Sequence, residues 1–465
     1  MNLSRLRTLK FAVPLAAIVL AMTATATTAK PTTSAAGTPI KIAILSDCKG
    51  AFAAFYGADV GGALMAFVEL TGAKVVNKND PLKGIKGGSI GGHPIKLVGI
   101  GCSNDSADLA LSETKRLMEK NKADILIGPL SGDEGVAVAK YAKAHPTKTF
   151  VNGTSGALDT TMIVRAPNFF RWNADGAQWN AGTGWVAYNV LGWRKVNVIM
   201  DDYSFGWTSA AGFIAEFCAL GGEVTKRVFP PLNTTDYSQY VAQLDPPNAT
   251  DGYFWAVGGT GTLSSLKAFE QKYGNMNSKQ HMGNLFFGTP GTFTELGLRI
   301  AGSYAGGGGT AADVPSAALD KFKALTAKTW SALPPLKGPA TATGVGNLFF
   351  VNYYVNATGL IKGLKAVKGD ISGGQKALQK KLATTTVTDP NGYTLKLDSN
   401  RQGIADTFVQ QLFDNNGTLG IKTIYKVVGV PQSFGGVFAP NKPPPGETVP
   451  ACVKGNVPWK VTKVG

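Results

Sequence analysis

The sequence predicts an α/β protein with doubly wound parallel sheets, shared between two domains. Two observations carry this reading. From residue 39 to about residue 290, short apolar stretches alternate with helical ones, the pattern of a parallel sheet covered by helices on both faces. Roughly 430 residues remain once an export leader is set aside, more than one hydrophobic core usually holds.

The leader comes first. Arg5, Arg7 and Lys10 precede an apolar run from Phe11 to Met22, and Ala24-Thr25-Ala26 follows as a small-residue cleavage pattern, so residues 1–29 read as an export signal. The run is too short to span a bilayer as a helix. No Cys follows it until Cys48, which argues against a lipid-modified N-terminus. Residues 30–38 (KPTTSAAGT) read as a flexible lead-in. The mature chain is expected outside the cytoplasm, periplasmic or secreted and envelope-associated.

The strands expected are Ile40 to Leu45, Ile95 to Ile100, Asp124 to Ile127, Thr149 to Val151, Val196 to Met200, Val224 to Phe229, Tyr253 to Val257 and Leu285 to Phe287. Helices fall between them, as at Ala107 to Asn121, where Asp105, Ser106 and Asp108 supply cap-type residues. Asn77 to Gly92 reads as surface loop, and Gly306 to Gly309 and Leu333 to Thr343 break up the later half. Gly344 to Lys365 is apolar enough to suggest a membrane span, but Asn347, Asn352 and Asn356 interrupt it and favour a buried amphipathic helix. The irregular tail after Val430 needs Cys452 to hold it down.

The formal charge is +16, and removing Arg5, Arg7 and Lys10 leaves +13. The lysines are spread along the chain with no dense basic run interleaved with aromatics, which points to a solvated basic surface rather than a nucleic-acid site. Four Cys in an exported chain suggest disulfides, in any of three pairings. If the strands ending before Cys48 and Cys102 are parallel neighbours, these two Cys sit at adjacent carboxyl ends, leaving Cys218 for Cys452. No metal site is expected, since no two Cys are close in sequence and the only histidines are His93, His145 and His281.

Two runs stand out as a candidate site: Asp124 to Gly132 (DILIGPLSG) and Thr149 to Ala157 (TFVNGTSGA). In each, a buried strand ends in small and hydroxylated residues, so N–H groups and a hydroxyl gather at a strand's carboxyl end, where open α/β sheets bind ligands. Ser131, Gly132, Gly153 and Thr154 would surround one point suited to a carboxylate. Aromatics gather at other strand ends: Phe52, Phe55 and Tyr56; then Tyr203, Phe205 and Trp207; then Phe254 and Trp255. Three such clusters suggest a ring-lined cleft. Asp202, Tyr203 and Trp255 complete the candidate set, although Asp201-Asp202 also suit capping of the next helix.

Catalytic motifs fit less well. Gly153-Thr154-Ser155-Gly156-Ala157 misses the last Gly of a nucleophile elbow, and no His is placed to activate Ser155. Gly259 to Ser264 (GTGTLS) lacks the third Gly of a dinucleotide fingerprint, and no cofactor is expected.

With these residues in view, the chain resembles the periplasmic solute-binding proteins of branched-chain amino acid type importers, the type I periplasmic binding fold. The likeness runs from Ile40 to about Val428, through IKIAILSDCKGAFAAFYGAD, SADLALSETKRLMEKNKADILIGPLSG, NVIMDDYSFGW and YTLKLDSNRQG. The resemblance implies two lobes joined by three hinge crossovers, near Asn173, Ser303 and Thr386. Lobe 1 would be 39–172 with 304–385, and lobe 2 173–303 with 386–465. It assigns carboxylate binding to Ser131, with Gly153 and Thr154, and facing aromatics to Tyr56 and Phe205. Pro290 stands where amino-acid binders usually carry an acid for the ligand's ammonium, and an unpaired buried ammonium is costly. The implied function is capture of a small carboxylate for an ABC importer, by a monomer that meets the permease subunits. A ligand sensor for a signalling receptor and an exported hydrolase using Ser155 are the rival classes.

Overall fold

The structure, a computed structural model, describes residues 37–288, 290–331 and 348–464. The expected leader, most of the lead-in, Leu333 to Thr343 and the Pro290 side chain lie outside the described residues.

The first sheet has six strands. Its parallel part comprises β1 (Ile40–Asp47), β2 (His93–Ser103), β3 (Ile125–Ile127), β4 (Thr149–Val151) and β5 (Phe169–Phe170), in the order β2-β1-β3-β4-β5. β3 and β4 are only three residues long and buried throughout, as continuous apolar runs in a doubly covered sheet should be. β1 and β2 are parallel neighbours, Ser46 opposite Cys102, and Cys48 is disulfide-bonded to Cys102 with Cα atoms 5.1 Å apart.

The second sheet has ten strands. β6 (Lys195–Met200), β7 (Glu223–Val228), β8 (Gly252–Ala256), β9 (His281–Gly283) and β10 (Tyr304–Gly308) run parallel in the order β7-β6-β8-β9-β10. The antiparallel pair β11 (Gly403–Asn415) and β12 (Thr418–Val430) extends it. Both parallel parts share one strand order, with the direction of winding reversing beside β1 in one and β6 in the other; ligands bind at such switch points. Two expectations are corrected here. Leu285 to Phe287 is not a strand: the strand ends at Gly283, and Leu285–Gly288 is a 3-10 turn. β10 is hydrogen-bonded between β9 and β11, so residues 304–308 belong with the second sheet, not with the first lobe as expected.

The helices that position the site are α1 (Tyr56–Thr71), α2 (Ala107–Lys115), α3 (Gly132–Ala144), α4 (Ser204–Ala219) and α5 (Leu348–Ala366). α5 buries every residue except Lys362, Lys365 and Ala366, so it is apolar nearly all round rather than amphipathic. It lies so close to α1 that a Cβ on Gly62 would stand 2.1 Å from the Phe350 carbonyl oxygen. Ala53–Thr71 is the one helical segment among the described residues long and apolar enough to cross a membrane, but Ala58 through Phe67 are buried in the protein core.

The chain passes from the first sheet to the second after β5, returns so that α5 packs on α1, and re-enters the second sheet at Val387–Thr388, ahead of β11. At the first passage Arg171 is wholly buried. It donates to Gln402, to the carbonyls of Ser155 (3.0 Å) and Ala157 (2.8 Å) and to Thr161 (2.8 Å), with Asp175 at 3.9 Å. The tail is pinned as expected: Cys218 and Cys452 form the second disulfide, Trp459 donates to Glu216 at 2.9 Å, and Val461–Lys463 pairs with β12.

Candidate functional site

The site forms where the carboxyl ends of the two sheets face each other. After β3, Gly128 has φ +135°, and a Cβ there would lie 2.2 Å from the Leu45 carbonyl oxygen. This turn delivers Leu130 and Ser131, and Ser131 takes the N-cap position of α3 with extended backbone. Ser131-Gly132-Asp133-Glu134 has capping-box spacing, but the Ser131 hydroxyl caps nothing, and the Glu134 carboxyl accepts from the Ser103 hydroxyl. Ser131 is 2 % exposed, and its buried hydroxyl has no hydrogen-bond partner among the described residues.

The opposing face comes from the end of β6. Tyr203 precedes α4, Ser204 and Phe205 open it, and the Ser204 N–H donates to Asp133 at 3.2 Å. α3 and α4 thus abut at their N-termini; a Cβ on Gly132 would stand 2.7 Å from the Ser204 Oγ and 2.8 Å from the Phe205 N. Two helix N-termini converging on one spot favour an anion.

Between them is a tight cavity of about 10 Å³, room for little more than one water, lined by Leu130, Ser131, Gly132, Thr154 and Gly156, by Leu285, and by six rings: Phe52, Trp179, Tyr203, Phe205, Phe286 and Phe349. The rings interlock, with centroids 5.4 Å apart for Phe52 and Phe286, 5.7 Å for Phe286 and Phe349, and 6.0 Å for both Trp179–Phe205 and Phe205–Phe286. No charged side chain lines the cavity. As it stands the space is too small for a ligand; were its two sides to part, the rings would suit a flat or branched apolar body and the hydroxyls and helix-end N–H groups at one end a carboxylate.

Of the candidate residues, Ser131, Gly132, Thr154, Tyr203 and Phe205 are brought together here. Four are not. The Tyr56 hydroxyl donates to the Gly101 carbonyl at 3.1 Å, away from the cavity, because Tyr56 begins α1 and its ring turns back over β2. Gly153 is a packing position: a Cβ there would lie 2.3 Å from the Tyr353 ring, and its carbonyl accepts from Asn356 at 2.9 Å. Asp202 is exposed and accepts from the Trp207 indole at 3.1 Å. Trp255 points into the core of the second sheet, its indole donating to His281 Nδ1 at 3.0 Å; burial holds that imidazole neutral, its pKa down to about 3.

The Thr154 N–H is taken by the Pro129 carbonyl at 3.1 Å, and its hydroxyl donates to the Phe349 carbonyl at 3.4 Å, a long bond that a ligand acceptor would have to replace. Ser155 faces α3 rather than the cavity, its Oγ 2.0 Å from where a Cβ on Gly135 would be. Asp201 does not cap α4; it is buried and accepts from the Gly258 N–H at 2.6 Å. Sequence reading missed Trp179, Phe286 and Phe349. Phe286 lay within a supposed strand and Phe349 within a supposed core helix, so no local signal set their rings apart.

This fold agrees with known proteins. A family described as periplasmic binding protein matches residues 39–418, and the chain belongs to that family. A Leu/Ile/Val-binding protein homolog 6 from Brucella melitensis is 26% identical over 165 residues, which span 35% of this chain and 41% of the relative. Among solved structures, an ABC transporter solute-binding protein from R. palustris in complex with benzoate is similar with TM-score 0.66 and 21% identity, covering 83% of this chain and 97% of its own. A leucine binding protein from Thermotoga maritima is similar with TM-score 0.63 and 18% identity, covering 82% and 97%. The fold is the type I periplasmic binding fold, two doubly wound lobes joined by three crossovers.

Proposed function

We propose that the protein is an extracytoplasmic solute-binding protein that closes two lobes on a small carboxylate and delivers it to the permease subunits of an ABC importer. The observation that carries this is the buried, unpartnered Ser131 hydroxyl at one end of a ring-lined cavity between two facing helix N-termini. The lobes are residues 39–172 with 309–385 and residues 173–308 with 386–464. Ser131 and Thr154 donate to the carboxylate, and the rings of Phe52, Trp179, Phe205, Phe286 and Phe349 enclose the apolar part. The protein acts as a monomer without enzymatic turnover. Benzoate and leucine, named for two structural relatives, bracket the ligand class.

A ligand touching both lobes binds the closed form better and shifts the population toward it. Mass spectrometry of the small molecule that co-purifies with the native protein identifies the ligand, and small-angle scattering then reads closure. Contraction at saturation is the expected result, and an unchanged profile argues against a hinged trap.

A further inference from the structure

Behind Phe52 and Tyr203 lies a second buried region. Asp47 ends β1, Asp105 follows β2, Glu134 sits in the first turn of α3 and Asp201 follows β6; all four are buried. Among the described residues no Lys, Arg or His forms an ion pair with any of them. Asp47 stands opposite Ser103 across β1 and β2, and the Ser103 hydroxyl donates to Glu134, which brings these carboxyls into one region, with Asp105 two residues beyond Ser103. Ionised carboxylates are acceptors only and repel one another, so carboxyls gathered here without a cation favour the protonated form.

No N–H or hydroxyl reaches either Asp47 oxygen, Glu134 Oε2, Asp105 Oδ1 or Asp201 Oδ1. The other groups facing the cluster add no positive charge: Asp133 from α3, Tyr203 ahead of α4, Asp59 from α1 and Tyr353 from α5. Burial therefore raises all four carboxyls above the ordinary range, Glu134 to about 7.

The cluster touches the ligand cavity at two points. Glu134 lies in the first turn of the helix that Ser131 caps, and Tyr203, whose ring lines the cavity, holds its hydroxyl, unpartnered among the described residues, buried among the fields of Asp201, Asp105, Asp133 and Asp47. We propose that the protein takes up its carboxylate ligand together with a proton, and that the ligand is an acid carrying no ammonium group. This deepens the function proposed above and rests on it.

A ligand anion at Ser131 places negative charge three residues from Glu134. It strengthens the hold of the cluster on protons, and one passes from solvent onto a carboxylate oxygen, forming an O–H bond. Binding that takes up a proton strengthens as pH falls. An ammonium-bearing ligand does the reverse, because it favours ionised carboxyls and expels a proton. The sign of proton exchange therefore separates the two ligand classes.

Calorimetry with benzoate and with leucine as probes, at pH 7 in phosphate and in Tris, measures that exchange. Benzoate is expected to bind with uptake of roughly half a proton or more, its Kd weakening roughly three- to ten-fold from pH 6 to pH 8. Glu134→Gln keeps the shape, cannot ionise, and should abolish the uptake. Leucine binding with proton release, or benzoate binding with no exchange, overturns the proposal.

A ligand-free arm keeps the two readings apart. A carboxyl whose folded pKa is raised stabilises the fold fully below its unfolded value, and that stability is lost as pH rises through the folded value. For Glu134 the window runs from about 4.3 to about 7. The melting temperature of the wild type relative to Glu134→Gln should accordingly fall by roughly 2–4 °C between pH 5 and pH 8. Asp47→Asn repeats the test if Glu134→Gln fails to fold. Parallel profiles overturn the proton-holding cluster whatever binds. Diverging profiles with neither probe bound at millimolar concentration overturn the ligand class and the proposed function but not the cluster.

Discussion

Two buried polar regions lie on either side of the ring-lined cavity, and they are built on opposite terms. Around Arg171, where the chain first passes between sheets, a cation meets Gln402, two carbonyls, Thr161 and a facing Asp175. Around Asp47, four carboxyls meet one another with no cation. A satisfied network holds one geometry and has nothing left to offer a ligand. An unsatisfied one must find its missing partners in protons or a ligand, and it lies beside the cavity where Ser131 and Tyr203 also lack partners.

The comparison breaks most severely at Arg171. Arg171→Ala leaves Asp175 buried without its countercharge and takes a donor from four buried acceptors, so it should destabilise the protein by about 3–5 kcal/mol in urea unfolding. A loss below about 1 kcal/mol would remove the structural reading of that network. Next in size is Gly132→Val. Side-chain atoms there would press into Ser204 and Phe205 across the cleft, so closure should be hindered and binding weakened roughly ten-fold or more in calorimetry, with little change in melting temperature. The smallest effect is expected at Asp202→Asn. Its exposed side chain bonded among the described residues only to the Trp207 indole, Asp202 should shift stability by less than about 0.5 kcal/mol and leave affinity unchanged. A large affinity loss there would return Asp202 to the site.

The fold was legible because its signals are local. Continuous apolar runs such as Thr149 to Val151 can only be strands buried on both faces, and Cys48 and Cys102 follow neighbouring ones. Half the site was legible for the same reason: Ser131 and Thr154 stand directly after strands. The rest depends on distant approach. Trp179, Phe286 and Phe349 come from a short helix, a 3-10 turn and the start of α5, and only folding brings their rings together. Trp255 was misread because its position at a strand end says nothing about which face its ring takes; β8 turns it toward His281. The carboxyl cluster was equally hidden, since Asp47, Asp105, Glu134 and Asp201 follow four different strands.

The central claim is that the Ser131 hydroxyl is kept free for a ligand carboxylate. Titration of benzoate into the wild type, Ser131→Ala and the internal control Ser155→Ala tests it most directly. A hydrogen bond to a charged acceptor contributes about 1.5–3 kcal/mol. Ser131→Ala should therefore weaken binding roughly ten-fold to a hundred-fold while the melting temperature of the ligand-free protein barely moves. Ser155→Ala should have the smaller effect, since its hydroxyl faces α3. Equal affinities for the wild type and Ser131→Ala would contradict the account.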